Sequence, residues 1–152
     1  MTAVRESKRI VGDELFIIAG KMHGAGVTNE SGSDITSEST IKDLVEGGAD
    51  VILMPSPGTV PGVSVEDVRN WTSYIHEAGA LAMLTIGTSQ EGASKDTIRQ
   101  IALQNKMAGA DIHHIGDAGY NGVAIPENIM EYSIAIRGKR HTYVRMARSI
   151  NR

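Results

Sequence analysis

Two stretches share one plan: Gly48-Ala49-Asp50-Val51-Ile52-Leu53-Met54-Pro55 and Gly109-Ala110-Asp111-Ile112-His113-His114-Ile115-Gly116. In each, a Gly-Ala-Asp triplet closes a helical pattern and opens an apolar run, and Gly79-Ala80-Leu81 does the same between them. The three leading glycines lie 31 and 30 residues apart. That interval holds one strand, one helix and their connections, so the chain reads as a repeated βα unit.

Working outward, four apolar runs stand out: Leu15 to Lys21, Val51 to Pro55, Leu81 to Ile86 and Ile112 to Gly116. Three of the four lack clear alternation, the pattern of parallel strands covered on both faces. Helix signals fall between them. A helix is expected from about Ser37 to Glu46, ending at Gly47-Gly48. Ser64 with Asp67 resembles a capping box ahead of Val68, Trp71, Ile75 and Ala78, and Ser94 precedes Ile98, Ile101 and Met107. Pro126 sits where a first helical turn accepts proline, before Ile129, Tyr132 and Ile136. The expected organisation is one domain over 1–152: a leading helix at 1–11, four βα units over 12–137, and a closing helix within 138–152, clearest from Thr142 to Ile150.

Right-handed crossovers leave two architectures, a four-stranded open α/β sheet or half of an eight-stranded βα barrel. The loops favour the half barrel. Segments after the strands are long and rich in Gly, Ser and Asp (Met22 to Thr36, Ser56 to Gly62, Gly87 to Ala93, Asp117 to Ala124), whereas those returning from helix to strand are minimal. A βα barrel gathers its working face at the carboxyl ends of its strands, although open α/β sheets share that rule.

Composition narrows the function classes. With 152 residues, 41% of them apolar, the chain is long enough to bury a core without metal or disulfide staples. It has no cysteine, which excludes a thiolate nucleophile and any cysteine-ligated zinc or iron–sulfur site, and fits a reducing, cytoplasmic address. The longest apolar run, Leu15 to Gly20, falls far short of the ~20 residues of a spanning helix, and Met1 to Arg9 is charged without a signal-peptide core. No membrane partner is expected. Fifteen basic residues face 18 acidic ones, for a net charge of -3. Arg137, Lys139, Arg140, Arg145, Arg148 and Arg152 crowd the carboxyl terminus, but they alternate with Tyr143, Met146 and Ile150 at helical spacing. They read as the wet face of a helix rather than a nucleic-acid tail.

The strings GKMHGAGVTNE (Gly20 to Glu30), GADVILMPSPGTVPG (Gly48 to Gly62), IGTSQEGAS (Ile86 to Ser94), AGADIHHIGDAGYNG (Ala108 to Gly122) and IRGKRHTYVRMARSINR (Ile136 to Arg152) resemble the carboxyl-terminal half of a family of bacterial βα-barrel proteins about twice this length. No reaction is established for that family. The resemblance implies that Thr2 to Val11 corresponds to the tail of the fourth barrel helix and the four strands to the fifth through eighth. A half barrel has two strand edges and an apolar interior without partners, which is costly. The expectation is therefore a homo-oligomer, most simply a two-fold dimer, or a complementary amino-terminal half barrel as partner.

Within that frame, the turns after the last two strands are candidates for binding a small anion through backbone N–H groups. They supply Gly87, Thr88 and Ser89 on one side and Gly116, Gly119 and Gly122 on the other; the alternative is that these are turn residues only. Lys21 ends the first strand. Such a lysine can form a Schiff base, hold an anion, or simply reach solvent. His23 lies two residues on. His113 and His114 are adjacent in a strand, so one should point into the barrel and the other toward the helices. Asp117 shares the parity of His113 only if the strand stays extended through Gly116.

Lys21, His23, His113, His114 and Asp117 form the candidate catalytic group, suited to acid–base work near neutral pH. A divalent metal fits the same imidazole and carboxylate ligands, but no HxH or HExxH spacing supports one. Asn29, Glu30, Ser31 and Asp34 lie in a Gly and Ser-rich loop that resembles a lid. Glu91 is a further acid, expected to be a solvated loop carboxylate. Pro55, Pro57 and Pro61 should stiffen the loop at 56–62. No Walker, dinucleotide-binding or GxSxG element follows a strand. The expected function is a barrel-type enzyme module, a lyase or isomerase, acting on a small phosphorylated or carboxylated metabolite. The opposing expectations are an inactive half barrel that dimerises and a phosphosugar-binding regulatory module.

Overall fold

Local capping chemistry sets where the helices begin. In the computed structural model, which describes residues 2–21, 35–87, 89–116 and 124–148, helix α1 spans Thr2–Val11 and buries none of its side chains. Helix α2 (Glu38–Glu46) starts after Ser37, whose hydroxyl accepts from the Thr40 N–H at 3.3 Å. Helix α3 (Val65–Glu77) opens on the expected capping box: the Asp67 N–H donates to Ser64 Oγ at 3.1 Å and the Ser64 N–H to Asp67 Oδ2 at 3.0 Å. Helix α4 (Lys95–Met107) follows Ser94, which makes no side-chain cap bond and instead meets Thr97 Oγ1 at 3.3 Å.

Helix α5 runs over Pro126–Ala147 and breaks at Gly138, where φ is 80° and ψ 162°. Glycine adopts that conformation without a Cβ clash. The two arms are joined by a 3.0 Å hydrogen bond between the Ser133 and Thr142 hydroxyls. The last helix thus begins well before Thr142, directly beyond a glycine hinge.

Strands β1 (Ile18–Gly20), β2 (Val51–Pro55), β3 (Leu81–Ile86) and β4 (Ile112–Ile115) form one parallel sheet in the order β1-β2-β3-β4. A sequential order with right-handed crossovers puts every connecting helix on one face. The burial agrees. Ile52, Met54, Ala82, Leu84 and Ile86 on the helix side are fully buried. They pack with Ile41, Leu44, Val68 and Ile75 in one cluster, and with Ile98, Ile101, Ala102 and Tyr132 in a second.

The opposite face carries Ile18, 53% exposed, and Leu81, 42% exposed, although Val51 and Met83 beside them are buried. The strands are therefore fully covered on one face only. This is half of a (βα)8 arrangement, and the open face is the one that would line a barrel. Gly20 allows β1 to approach β2 closely, because a Cβ there would stand 2.6 Å from the Leu53 carbonyl oxygen.

At the amino-terminal ends of the strands, here called the floor, two of the Gly-Ala triplets do identical work. The Asp50 N–H donates to the Ile17 carbonyl at 3.0 Å while the Ile17 N–H donates to Asp50 Oδ2 at 2.8 Å. Asp111 and Ala82 repeat that exchange at 3.0 and 2.8 Å. Each carboxylate also takes a base from the helix before the clamped strand: Lys8 Nζ reaches Asp50 Oδ1 at 3.1 Å, and His76 Nε2 lies 2.8 Å from Asp111 Oδ2. Among the described residues, no helix is long and apolar enough to cross a membrane.

Candidate functional site

Register decides which side chains meet at the carboxyl ends of the strands, the mouth. Pro55, Thr85 and His114 are register partners across β2, β3 and β4, and all three line a cavity of about 270 Å³. Lys21, the residue after β1, lines it too, as do Gly87 after β3 and Gly116 after β4. Thr59 and Val60 close it from the loop after β2. One ammonium, one imidazole, the Thr85 hydroxyl and two glycine backbones thus share a small recess whose other walls, Ile35, Leu53, Val60 and Ile86, are apolar. The Thr59 hydroxyl is already donated to the Ser56 carbonyl at 2.7 Å. The polar members are of the kind that hold an anion.

The two adjacent histidines separate as strand geometry requires. His114 is exposed and lines the mouth. His113 turns to the helices, where its Nδ1 lies 3.1 Å from the Tyr132 hydroxyl and its ring packs edge-on against Tyr132 at 5.5 Å. Burial, with Arg137 nearby, lowers the pKa of His113, and burial raises that of Tyr132 to about 12. Tyr132 accepts from Asn105 Nδ2 at 2.6 Å, so its own proton is available to His113 Nδ1. Asn105 Nδ2 also reaches Ser56 Oγ at 2.7 Å, which ties the end of β2 through α4 and α5 to β4. Sequence inspection missed this buried chain. A polar residue at an apolar helical position, Asn105 beside Ile101 and Ala102, was its only signal.

A larger cavity of about 450 Å³ lies behind β4, lined by His113, Tyr132, Ile129, Ile136, Arg145 and Met146. It is on the helix side, away from the mouth.

The turn after β3 departs from expectation. Ser89 sits in the left-handed region at φ 73°, unusual for a residue with a Cβ, and does not line the cavity. Glu91, expected in solvent, is buried at 7% exposure, and its Oε2 has no hydrogen-bond partner. It belongs to a 3₁₀ turn, Gln90–Gly92, that packs under the chain leaving β4. His23, Thr88, Asp117, Gly119 and Gly122 lie outside the described residues, as does the loop stretch with Asn29, Glu30, Ser31 and Asp34. Among the described residues, no group of three His, Asp or Glu side chains is placed to hold a metal ion.

Known proteins resemble the chain in two ways. The family described as "Domain of unknown function (DUF7916)" matches residues 1–152. Among solved structures, the deoxyribose phosphate aldolase from Aeropyrum pernix, described as having a unique tetrameric structure, superposes with a TM-score of 0.64 at 13% identity. The superposition covers 89% of this chain and 55% of the aldolase, so the chain spans about half the length of that barrel. At this identity the likeness is one of fold. No curated protein matches the chain.

Proposed function

The chain belongs to the DUF7916 family, a domain of unknown function, and from that premise we propose that its mouth binds a small phosphorylated or carboxylated metabolite as part of a barrel-type enzyme of the lyase or isomerase kind. One observation carries the reading: Lys21, Thr85, Gly87, His114 and Gly116, contributed from β1, β3 and β4 or the residues directly after them, line a single recess at the carboxyl ends of the strands. Barrel enzymes place their chemistry at that end. Lys21 supplies an ammonium group and His114 an imidazole that can donate a hydrogen bond. Gly87 and Gly116 let a ligand approach the backbone closely. His113 serves the fold rather than the ligand, through its contact with Tyr132.

Titration with inorganic phosphate, followed by thermal unfolding, tests the reading. A ligand that binds only the folded chain stabilises it by about 2.7 kcal/mol at a hundredfold excess over Kd. A rising midpoint in the parent and none in Lys21→Ala or His114→Ala is expected. A parent that does not respond to phosphate or to small carboxylates overturns it.

A second reading concerns the open face. Ile18 and Leu81, exposed at 53% and 42%, lie on the same side of the sheet. We propose that another four-stranded half covers this face, most simply a second copy of the chain, and that the mouth is completed by it. Mass in solution at micromolar concentration decides the second-copy form: a folded, stable monomer counts against it.

A further inference from the structure

We propose that the cavity behind β4 is a second binding site, for a small amphipathic anion: a carboxylate or phosphate head held by Arg137 and Arg145, on an apolar tail lodged between β4 and α5. This cavity of about 450 Å³ shares no lining residue with the mouth.

All of its walls come from one strand and one helix. His113 and Ile115 belong to β4, and every other lining residue belongs to α5. Ile115, Pro126, Ile129, Met130, Ile136 and Met146 make most of its surface apolar. The polar groups among them are already paired: the Ser133 and Thr142 hydroxyls share a 3.0 Å hydrogen bond, and His113 Nδ1 and the Tyr132 hydroxyl meet at 3.1 Å. The cavity is thus of the size and character of small-molecule pockets, which are mainly apolar with a few polar groups that fix orientation.

Two cations supply the orientation. Arg137 ends the first arm of α5, Arg145 lies in the second, and both line the cavity. Eight residues would span about 12 Å along an unbroken helix. The break at Gly138 folds the two arms together, as the Ser133–Thr142 bond records, and brings both arginines to one space. They also line an adjoining cavity with His141 and Arg148, so they stand where the two spaces meet. Asp111 lines that second space, but its Oδ2 already takes His76 Nε2 and the Ala82 N–H, each at 2.8 Å.

No acidic side chain among the described residues lines the cavity behind β4, and neither arginine takes part in an ion pair with any of them. The sequence offers no counter-ion nearby: beyond Glu131 it has six lysine and arginine residues and no aspartate or glutamate. Glu131 itself is held by Arg99 at 2.6 Å. Two guanidinium groups at the rim of an apolar slot call for an anion whose remainder is apolar. Their forked donors match a carboxylate or a phosphate, and the slot rewards a tail that leaves water. A wholly hydrophilic polyanion would leave the slot unused.

Calorimetry with two amphiphiles, octanoate and octyl phosphate, and with octanol and acetate as controls tests this. The parent should bind at least one amphiphile saturably, one per chain, and about tenfold or more tighter than acetate, which lacks the tail, or octanol, which lacks the charge. Arg137→Gln and Arg145→Gln should each weaken that amphiphile about tenfold, the loss of one charge-assisted hydrogen bond. Both arginines are exposed, so the unfolding midpoint of the free chain should stay put. Ile129→Asp, at a position 43% exposed, should abolish binding, and Lys21→Ala should bind as the parent does. Arginine or Ile129 variants that bind as tightly as the parent overturn the proposal. So does a Lys21→Ala variant that loses the amphiphile, which moves it to the mouth, or an amphiphile bound no tighter than acetate or octanol. A parent that binds neither amphiphile overturns it as well: an assembly whose mass falls in Ile129→Asp then makes a second copy the occupant, and adhesion to phosphatidylglycerol vesicles makes it a lipid surface.

Discussion

The floor of this half barrel and the turn after β3 treat their carboxylates in opposite ways. At the floor, Asp50 and Asp111 each accept a backbone N–H from a neighbouring strand and a base from a preceding helix. In the turn after β3, Glu91 is buried and its Oε2 has no hydrogen-bond partner. Both regions belong to the same repeated unit, yet only the floor turns its carboxylates to registering strands. In barrel proteins generally the amino-terminal face serves stability and the carboxyl-terminal face chemistry. Gly79-Ala80-Leu81 sharpens the point. The register partner of Leu81 is Val51, whose N–H already donates to the Ile17 carbonyl at 3.1 Å, so no donor awaits an acid there.

If that contrast is right, floor substitutions cost stability and mouth substitutions cost binding. The largest loss is expected for Asp111→Ala, which strands the buried Ala82 N–H and frees His76. It should destabilise by about 1–3 kcal/mol in urea titrations while leaving the phosphate response of the folded chain intact. Loss of the response with no loss of stability would reverse the roles of the two ends.

Asp50→Asn should cost somewhat less, about 1–2 kcal/mol at neutral pH. Here pH adds a signature. The Ile17 N–H, and then Lys8, hold the Asp50 pKa below its ordinary 3.8, so its contribution is present above that value and disappears as pH falls through the folded-state pKa. The gap between parent and Asp50→Asn should therefore close in acid; a constant gap from pH 7 to pH 2 would remove the ionised clamp from the account.

Between the two ends, His113 offers a smaller test. Its pKa is lowered in the folded chain from an ordinary 6.5. The neutral ring thus favours folding above that value, and the benefit is lost as pH falls through the folded-state pKa. His113→Asn, which keeps an acceptor for Tyr132, should flatten the pH dependence of the unfolding midpoint below pH 7. The smallest effect on stability belongs to Lys21→Ala: Lys21 is exposed, and its loss should move the unfolding free energy by less than about 0.5 kcal/mol. A larger drop would make Lys21 a structural residue.

Much of the scaffold was legible in the chain because it rests on local chemistry. Ser64 and Asp67 cap α3 within four residues of each other, and the Gly-Ala triplets end helices through a local change of backbone conformation. The candidate site was legible in part. Lys21, Gly87, Gly116 and one histidine of the pair do meet, since all sit at the carboxyl ends of strands. Glu91 was misjudged because its neighbours in sequence, Gln90 and Gly92, suggest a solvated turn. Its burial comes instead from Asn128 and Gly116, which are 37 and 25 positions away, and no window of sequence contains them all. The chain from Ser56 through Asn105 and Tyr132 to His113 was missed for the same reason.

By itself, the sequence determined the βα period, the helix starts and the absence of thiol chemistry, all consequences of near-neighbour sterics, hydrogen bonding and composition. Only the tertiary structure decided between a four-stranded open α/β sheet and half a barrel. That choice depends on strand order, and β1-β2-β3-β4 with every helix on one face is a property of pairing between distant segments. The same pairing settled that His114 rather than His113 looks into the mouth. Successive strand residues point opposite ways, and only the register against β3 and the packing of α5 say which way is in.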